Sequence, residues 1–374
     1  MKAIFGPKPT GIITTGIKFV TTGLKVEGTD GVTINSPAPP GDINSFKNSN
    51  PDPPTPVFPS AAGDAPYSLT EQQLRSAIFI PPTFQGMGMP NNPVILVPGT
   101  GATGGVNYVG NFAKILAQNT SIAQPVWLNI PGAMLDDVQT NAEYIAYAMN
   151  YMSSMTNAKI SVLGWSQGNL ATQWALKYWP STRKSARQLI SVSPDFHGTV
   201  IANIADLPII DKIPLPPSIL QQQFNSELIK TLRAGGGDSA FIPTTTLYSA
   251  VFDEIVQPQE GTTASAFMLD ARKVGVTNNE IQSVCPGTPA GDFGTHESLL
   301  FNGLTTALAI DALMNGGPAD VSRVDTKSVC QQLAHPALNV GDVSVTEGLI
   351  PLAGLNILEF RPGVTKEPAI RQYA

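Results

Sequence analysis

The chain reads as an α/β protein built on a mostly parallel sheet, and three features of the sequence carry that expectation. Val94-Ile95-Leu96-Val97 is an unbroken apolar run stopped by Pro98-Gly99, the pattern of a strand buried on both faces. Asp136 or Asp137 can cap a helix running through Ile145, Met149 and Met152, whose spacing sets them on one face. Ile160-Ser161-Val162-Leu163 then leads into a helical stretch over 169–178, which Pro180 stops. Strands alternating with helices in this way place helices on both faces of a parallel sheet. Val126-Trp127-Leu128, Leu189-Ile190-Ser191-Val192 and residues 244–248 supply further strands.

The first 62 residues read differently. Pro37-Ala38-Pro39-Pro40-Gly41 and Pro51-Asp52-Pro53-Pro54-Thr55-Pro56 cannot hold a regular helix or a central strand. Ahead of them, Ile12-Ile13 and Lys18-Phe19-Val20 are short β-like runs. Residues 1–62 are therefore expected to form a weakly ordered extension, or a small β appendage, ending in a proline-rich linker. Residues 63–374 form the α/β domain. No continuous apolar segment of a signal peptide follows Met1-Lys2, because Pro7, Pro9, Gly11 and Lys18 interrupt it. Either a leader has been removed or the chain is not exported by that route.

Composition narrows the function. The 374 residues are 42% hydrophobic and 13% charged, with a net charge of −6. That supports a large core and offers no basic field for a nucleic-acid backbone. No stretch reaches the ~20 apolar residues that span a bilayer. Cys285 and Cys330 are too far apart for a C-x-x-C motif, and on residues alone a disulfide and two buried thiols stay equally open.

Gly164-Trp165-Ser166-Gln167-Gly168 is a G-x-S-x-G pentapeptide lying directly after one expected strand and at the start of a helix. A serine oxygen projects from a sheet end only if the strand turns sharply, and flanking glycines keep side chains from colliding with neighbouring backbone. The helix N-terminus beyond adds positive potential where an oxyanion would form. The bland alternative is a serine in a glycine-rich connection. Strand before and helix after favour the nucleophile.

A second glycine loop, Gly99-Thr100-Gly101-Ala102-Thr103-Gly104, matches G-x-G-x-x-G and invites a dinucleotide-binding, oxidoreductase reading. The acidic residue expected ~20 positions onward is missing, and Val106-Asn107-Tyr108-Val109 begins with little helix preference. Paired with Ser166, the loop fits better as one side of an oxyanion hole. Gln167 would supply the other backbone N–H, and Thr100 could add a hydroxyl.

Three histidines compete for the base. In α/β-hydrolases the order is serine, acid, histidine. His197 precedes any later acid and fails that order. His296 lies in Gly291-Asp292-Phe293-Gly294-Thr295-His296, small residues suited to presenting a side chain, and His335 is held in reserve. The acid should end a strand, which leaves Asp253 and its neighbour Glu254.

These residues resemble Candida antarctica lipase B and its fungal relatives, over about residues 58–374. The likeness rests on Leu96-Val97-Pro98-Gly99-Thr100-Gly101, Trp165-Ser166-Gln167-Gly168, Ser193-Pro194-Asp195 with Gly198-Thr199-Val200, Pro243-Thr244-Thr245 with Leu247-Tyr248-Ser249-Ala250, and residues 253–259. The resemblance implies an α/β-hydrolase fold and a serine lipase or esterase with Ser166, Asp253 and His296 as its triad. It implies Thr100 and Gln167 at the oxyanion hole, Asp195 near the serine, and Gln222 in the acyl pocket. Trp165 would floor the alcohol side, with Ile255 on the wall. Cys285 and Cys330 match one disulfide of the family, whose other disulfides have no counterpart here.

The implied reaction needs no metal or organic cofactor. Its partners are a lipid or small apolar ester and, transiently, a lipid interface, with no nucleic acid. The chain is read as a secreted monomer. The apolar segment 201–220 is either a lid that meets lipid or packing over the sheet end. A hydrolase-fold binding protein without catalysis is the third reading, and the intact serine, acid and histidine argue against it. Asn119-Thr120-Ser121 is an N-glycosylation sequon, meaningful only on a secreted chain.

Overall fold

Continuous apolar runs become the centre of one seven-stranded sheet. Its strands are β1 (Ile78–Phe79), β2 (Pro93–Val97), β3 (Gln124–Leu128), β4 (Ile160–Trp165), β5 (Ala186–Val192), β6 (Thr244–Tyr248) and β7 (Val276–Glu280). They lie in the order β1-β3-β2-β4-β5-β6-β7, all parallel except β1, which pairs antiparallel with β3. The structure is a computed structural model that describes residues 38–39, 41–85, 92–202, 214–250, 252–292 and 294–374.

The pleat explains why the central strands read as unbroken hydrophobic runs. Ile95 and Val97 of β2 point to one core, and Val94 and Leu96 to the other. The helices used below are α1 (Gly104–Tyr108), α2 (Val138–Thr156), α3 (Gln167–Tyr178), α4 (Gly303–Asn315) and α5 (Leu349–Glu359). On the first face α2 contributes Ile145, Met149 and Met152 and α3 contributes Leu170 and Trp174. On the second, α4 contributes Leu304, Leu308 and Ala312. Each large side chain buried in this way stabilises by about 1.5–3 kcal/mol. Asp137, not Asp136, caps α2, its side chain accepting the Gln139 N–H.

Three departures from the sequence reading have physical causes. β1 is two residues long and β7 is the polar run VTNNE. Both are edge strands, and β7 uses Asn279, whose amide donates to the Thr246 carbonyl (3.0 Å), in place of an apolar face. Residues 41–62, expected to be extension and linker, lie against the α/β body. The carbonyl of Pro51 accepts from the Tyr151 hydroxyl (2.9 Å), and Thr55 exchanges hydrogen bonds with the Ser154 hydroxyl. Proline removes a donor but leaves a carbonyl free to accept. Residues 1–37, with their β-like runs, fall outside the described residues, as do 203–213 of the apolar segment. Leu215 and Ile219 from the rest of that segment are buried with Leu135, Ile357 and Phe360. Cys285 and Cys330 are joined in a disulfide. Among the described residues no helix is long and apolar enough to cross a membrane.

Candidate active site

Ser166 joins the last residue of β4 to the first of α3, at the C-terminal edge of the sheet. Its backbone has φ +53° and ψ −132°, a region that residues with a side chain seldom adopt. Such strain costs on the order of 1–3 kcal/mol and persists only where neighbours impose it. The neighbours are visible. The Ser166 N–H donates to the Val192 carbonyl (3.0 Å), and the Asn169 side-chain amide donates to the carbonyls of Ser166 (3.2 Å) and Val192 (3.1 Å). A Cβ on Gly168 would lie 2.6 Å from the carbonyl oxygens of Val97 and Pro98, so α3 reaches β2 only because that atom is absent. The first N–H groups of α3, starting at Gln167, have no acceptor within the helix.

His296 is buried, with Nδ1 3.0 and 3.1 Å from the two carboxylate oxygens of Asp253. One of those oxygens also accepts the N–H groups of Ile255 (3.0 Å) and Val256 (2.8 Å), which aims the carboxylate. The histidine backbone is held at both ends. Its carbonyl accepts from the Trp165 indole (3.1 Å) and the Ser193 hydroxyl (3.1 Å), and its N–H donates to the Glu254 carboxylate (3.1 Å). With Nδ1 committed to Asp253, Nε2 is buried and has no hydrogen-bond partner among the described residues. Burial by itself would depress the imidazole pKa. The charge of Asp253 and its hydrogen bond, helped by Glu254 and Asp195, outweigh that and raise it above the ordinary value. Trp165 lies against the ring, with centroids 5.0 Å apart.

Two more carboxyl groups surround this pair. Asp195 is fully buried, neither side-chain oxygen has a partner among the described residues, and burial raises its pKa to about 7. Glu254 is raised to about 7 by burial and by the charge of Asp253. Adjacent in sequence, Asp253 and Glu254 are separated by direction: one faces the imidazole ring, the other the histidine main chain.

The glycine loop after β2 runs beside the serine. A Cβ on Gly99 would sit 3.0 Å from Ser166 Cβ and 2.6 Å from the Trp165 ring. The Gly99 N–H donates to the Asn107 side chain (3.0 Å), the Gly101 N–H donates to the Ala133 carbonyl (2.8 Å), and Asn356 of α5 donates to the Gly101 carbonyl (2.8 Å). The Thr100 hydroxyl donates to Gln222 Oε1 (3.0 Å), bringing two predicted site residues into contact. A dinucleotide pyrophosphate would need the free N–H groups of the following helix. Here the Gly105 N–H is taken by Asn129 and the Val106 N–H by Asn44, which counts against the oxidoreductase reading.

The other predicted positions sort as follows. Ile255 and Trp165 are buried in one apolar cluster. His197 faces Asp238 (3.6 Å), and the nitrogen of His335 accepts the Ala337 N–H (3.2 Å), so neither is paired with Asp253 or Glu254. Sequence reasoning missed Ser193, whose φ is +44°, and Asn107, Asn356 and Glu254 as holders of backbone. Only Ser193 carried a signal, its place at the end of β5.

No protein-family profile matches the chain. A curated relative, lipase B of Pseudozyma antarctica, is 37% identical over 198 residues, which are 52% of this chain and 54% of that protein. The match thus spans about half the length of that curated relative. Among solved structures, lipase B of Aspergillus fumigatus superposes with a TM-score of 0.90 at 46% identity, covering 100% of this chain and 87% of that one. The chain belongs to the fungal lipase B family. In this family member the seven-stranded sheet is that of the α/β-hydrolase fold; the glycine loop runs beside the elbow serine, and the His296 ring lies against Trp165, the residue before that serine.

Proposed function

We propose that the chain is a serine carboxylic-ester hydrolase, a lipase or esterase for triacylglycerol-type and other apolar esters. The observation that carries this reading is the buried Asp253–His296 pair, whose Nε2 has no partner among the described residues and whose ring lies against Trp165, the residue before the strained elbow serine. Ser166 Oγ attacks the ester carbonyl while His296 Nε2 takes its proton. Asp253 holds the tautomer with the proton on Nδ1 and stabilises the imidazolium. The N–H groups of Thr100 and Gln167 receive the oxyanion. His296 then protonates the departing alcohol, and water, deprotonated by the same nitrogen, releases the acid from Ser166. Asp195 lies near the serine, Gln222 borders the acyl side, and Trp165 and Ile255 the alcohol side. The Cys285–Cys330 disulfide suits an oxidising compartment, and we assign the chain to the secreted proteins, as a monomer that meets a lipid surface transiently.

The test is covalent labelling with a fluorescent alkyl phosphonate, mapped by mass spectrometry, with turnover of short- and long-chain esters. Label on Ser166 and a loss of kcat on the order of 10⁶ in Ser166→Ala are the expected results. Wild-type protein that takes no label, or a Ser166→Ala variant that turns over esters normally, would end the proposal.

A further inference from the structure

We infer that residues 42–45 form a strap that positions the oxyanion loop from behind, an inference that rests on the ester-hydrolase reading above. The helix α1 starts directly after that loop, and its N-cap residue Thr103 makes no side-chain cap of its own. Asn44, sixty residues earlier, closes the helix instead. Its Oδ1 accepts the Val106 N–H (2.7 Å) and the Thr103 hydroxyl (2.7 Å). The strap is in turn gripped by β3 and the residue after it. The Ile43 carbonyl accepts from the Trp127 indole (2.7 Å) and the Asn129 amide, which also donates to the Ser45 carbonyl (2.8 Å). Asp42 closes the turn by accepting the Asn44 N–H on its side chain (2.8 Å). Contact is so tight that a Cβ on Gly105 would stand 2.3 Å from the Ile43 oxygen. Asn44 and Ser45 are buried.

The line continues to the chemistry. One turn along α1, Asn107 accepts the Gly99 N–H (3.0 Å), one residue before Thr100. Any shift of α1 on its bed therefore moves the Thr100 N–H. A misplacement of about 1 Å in such a donor can cost about 10²-fold in rate. Asn44 is buried with its Oδ1 spent on Thr103 and Val106, so it acts as a positioning residue, and the part it acts on is the transition state.

The experiment uses the full chain. Asn44→Leu removes the acceptor at similar volume, whereas Asn44→Asp keeps it. For p-nitrophenyl butyrate, Asn44→Leu should lower kcat about 10- to 100-fold with KM within about threefold, and slow phosphonate labelling in proportion. Asn44→Asp should restore kcat to within about threefold of wild type. If Asn44→Leu does not accumulate as folded protein, Trp127→Phe carries the test. It deletes the donor to Ile43 but keeps the ring that stacks on Phe79 (4.6 Å), and should lower kcat about 3- to 10-fold. Unchanged kcat in a folded variant, or a rise in KM alone, overturns the strap while the ester-hydrolase reading stands. Wild-type protein that neither labels nor hydrolyses esters overturns both.

Discussion

His296 is buried and His197 half-buried, each next to an aspartate, yet their surroundings push them in opposite directions. Burial disfavours the charged imidazole in both. For His296 every charged neighbour favours the imidazolium: Asp253 by field and hydrogen bond, then Glu254 and Asp195, so its pKa is raised. For His197 burial is joined by Arg233, and Asp238 with a backbone hydrogen bond at Ala264 does not compensate, which pulls the group down to about 4. Asp238 is already engaged by Arg233, at 2.8 and 3.2 Å, and stands 3.6 Å from the ring. A carboxylate near an imidazole is therefore not enough to make a base. The carboxylate must be uncommitted to another cation, and the second ring nitrogen must face the reacting atoms.

Breaking the first pair should cost far more than breaking the second. Asp253→Asn is expected to lower kcat on the order of 10⁴-fold at neutral pH, because an amide neither fixes the productive tautomer nor stabilises the imidazolium. Asp238→Asn should leave ester turnover within about threefold of wild type. Comparable losses in the two variants, measured by steady-state kinetics, would erase the distinction.

Next in size is the pH profile. In the proposed mechanism His296 must be neutral to accept the serine proton, so activity should fall as pH drops through its pKa. That pKa is raised, which places the acid limb of kcat/KM above the ordinary 6.5. Glu254→Gln removes a negative charge that favours imidazolium and should move the limb to lower pH. A wild-type limb at or below 6.5 would contradict the assignment of the field.

The smallest effect concerns stability. His197 is depressed in the folded chain, so between pH 6.5 and about 4 the unfolded chain binds its proton first. Stability linked to this group is intact above 6.5 and is lost as pH falls towards 4. His197→Gln should flatten that part of the Tm–pH curve. Arg233→Gln should raise the His197 titration, followed by NMR in a protein with three histidines. A titration unmoved by that substitution would show that burial alone holds His197 down.

Legibility followed locality. The elbow could be read because turn, strand and helix are set by five consecutive residues, and Ser166 needs its strained backbone wherever the rest of the chain lies. Central strands were legible for a related reason: burial on both faces demands a hydrophobic residue at every position. The edge strands were not, since VTNNE pairs through its backbone while its asparagines bond sideways. The proline-dense stretch over 51–56 signalled correctly that no helix or strand could form. It said nothing about packing, which depends on Tyr151 and Ser154 lying within reach of its backbone.

On its own, the amino-acid order determined the alternation of strand and helix, the sharp turn at Ser166 and the restriction of the base to very few histidines. Such properties depend on backbone sterics and hydrophobic periodicity, which act over a handful of neighbours. Tertiary structure alone decided that Asp253 would face a ring and Glu254 a peptide N–H. It also decided that Asp195 would be buried beside them and that Asn44 would close a helix sixty residues away. Direction, desolvation and long-range hydrogen bonding exist only once distant segments share one volume, and no local pattern encodes them.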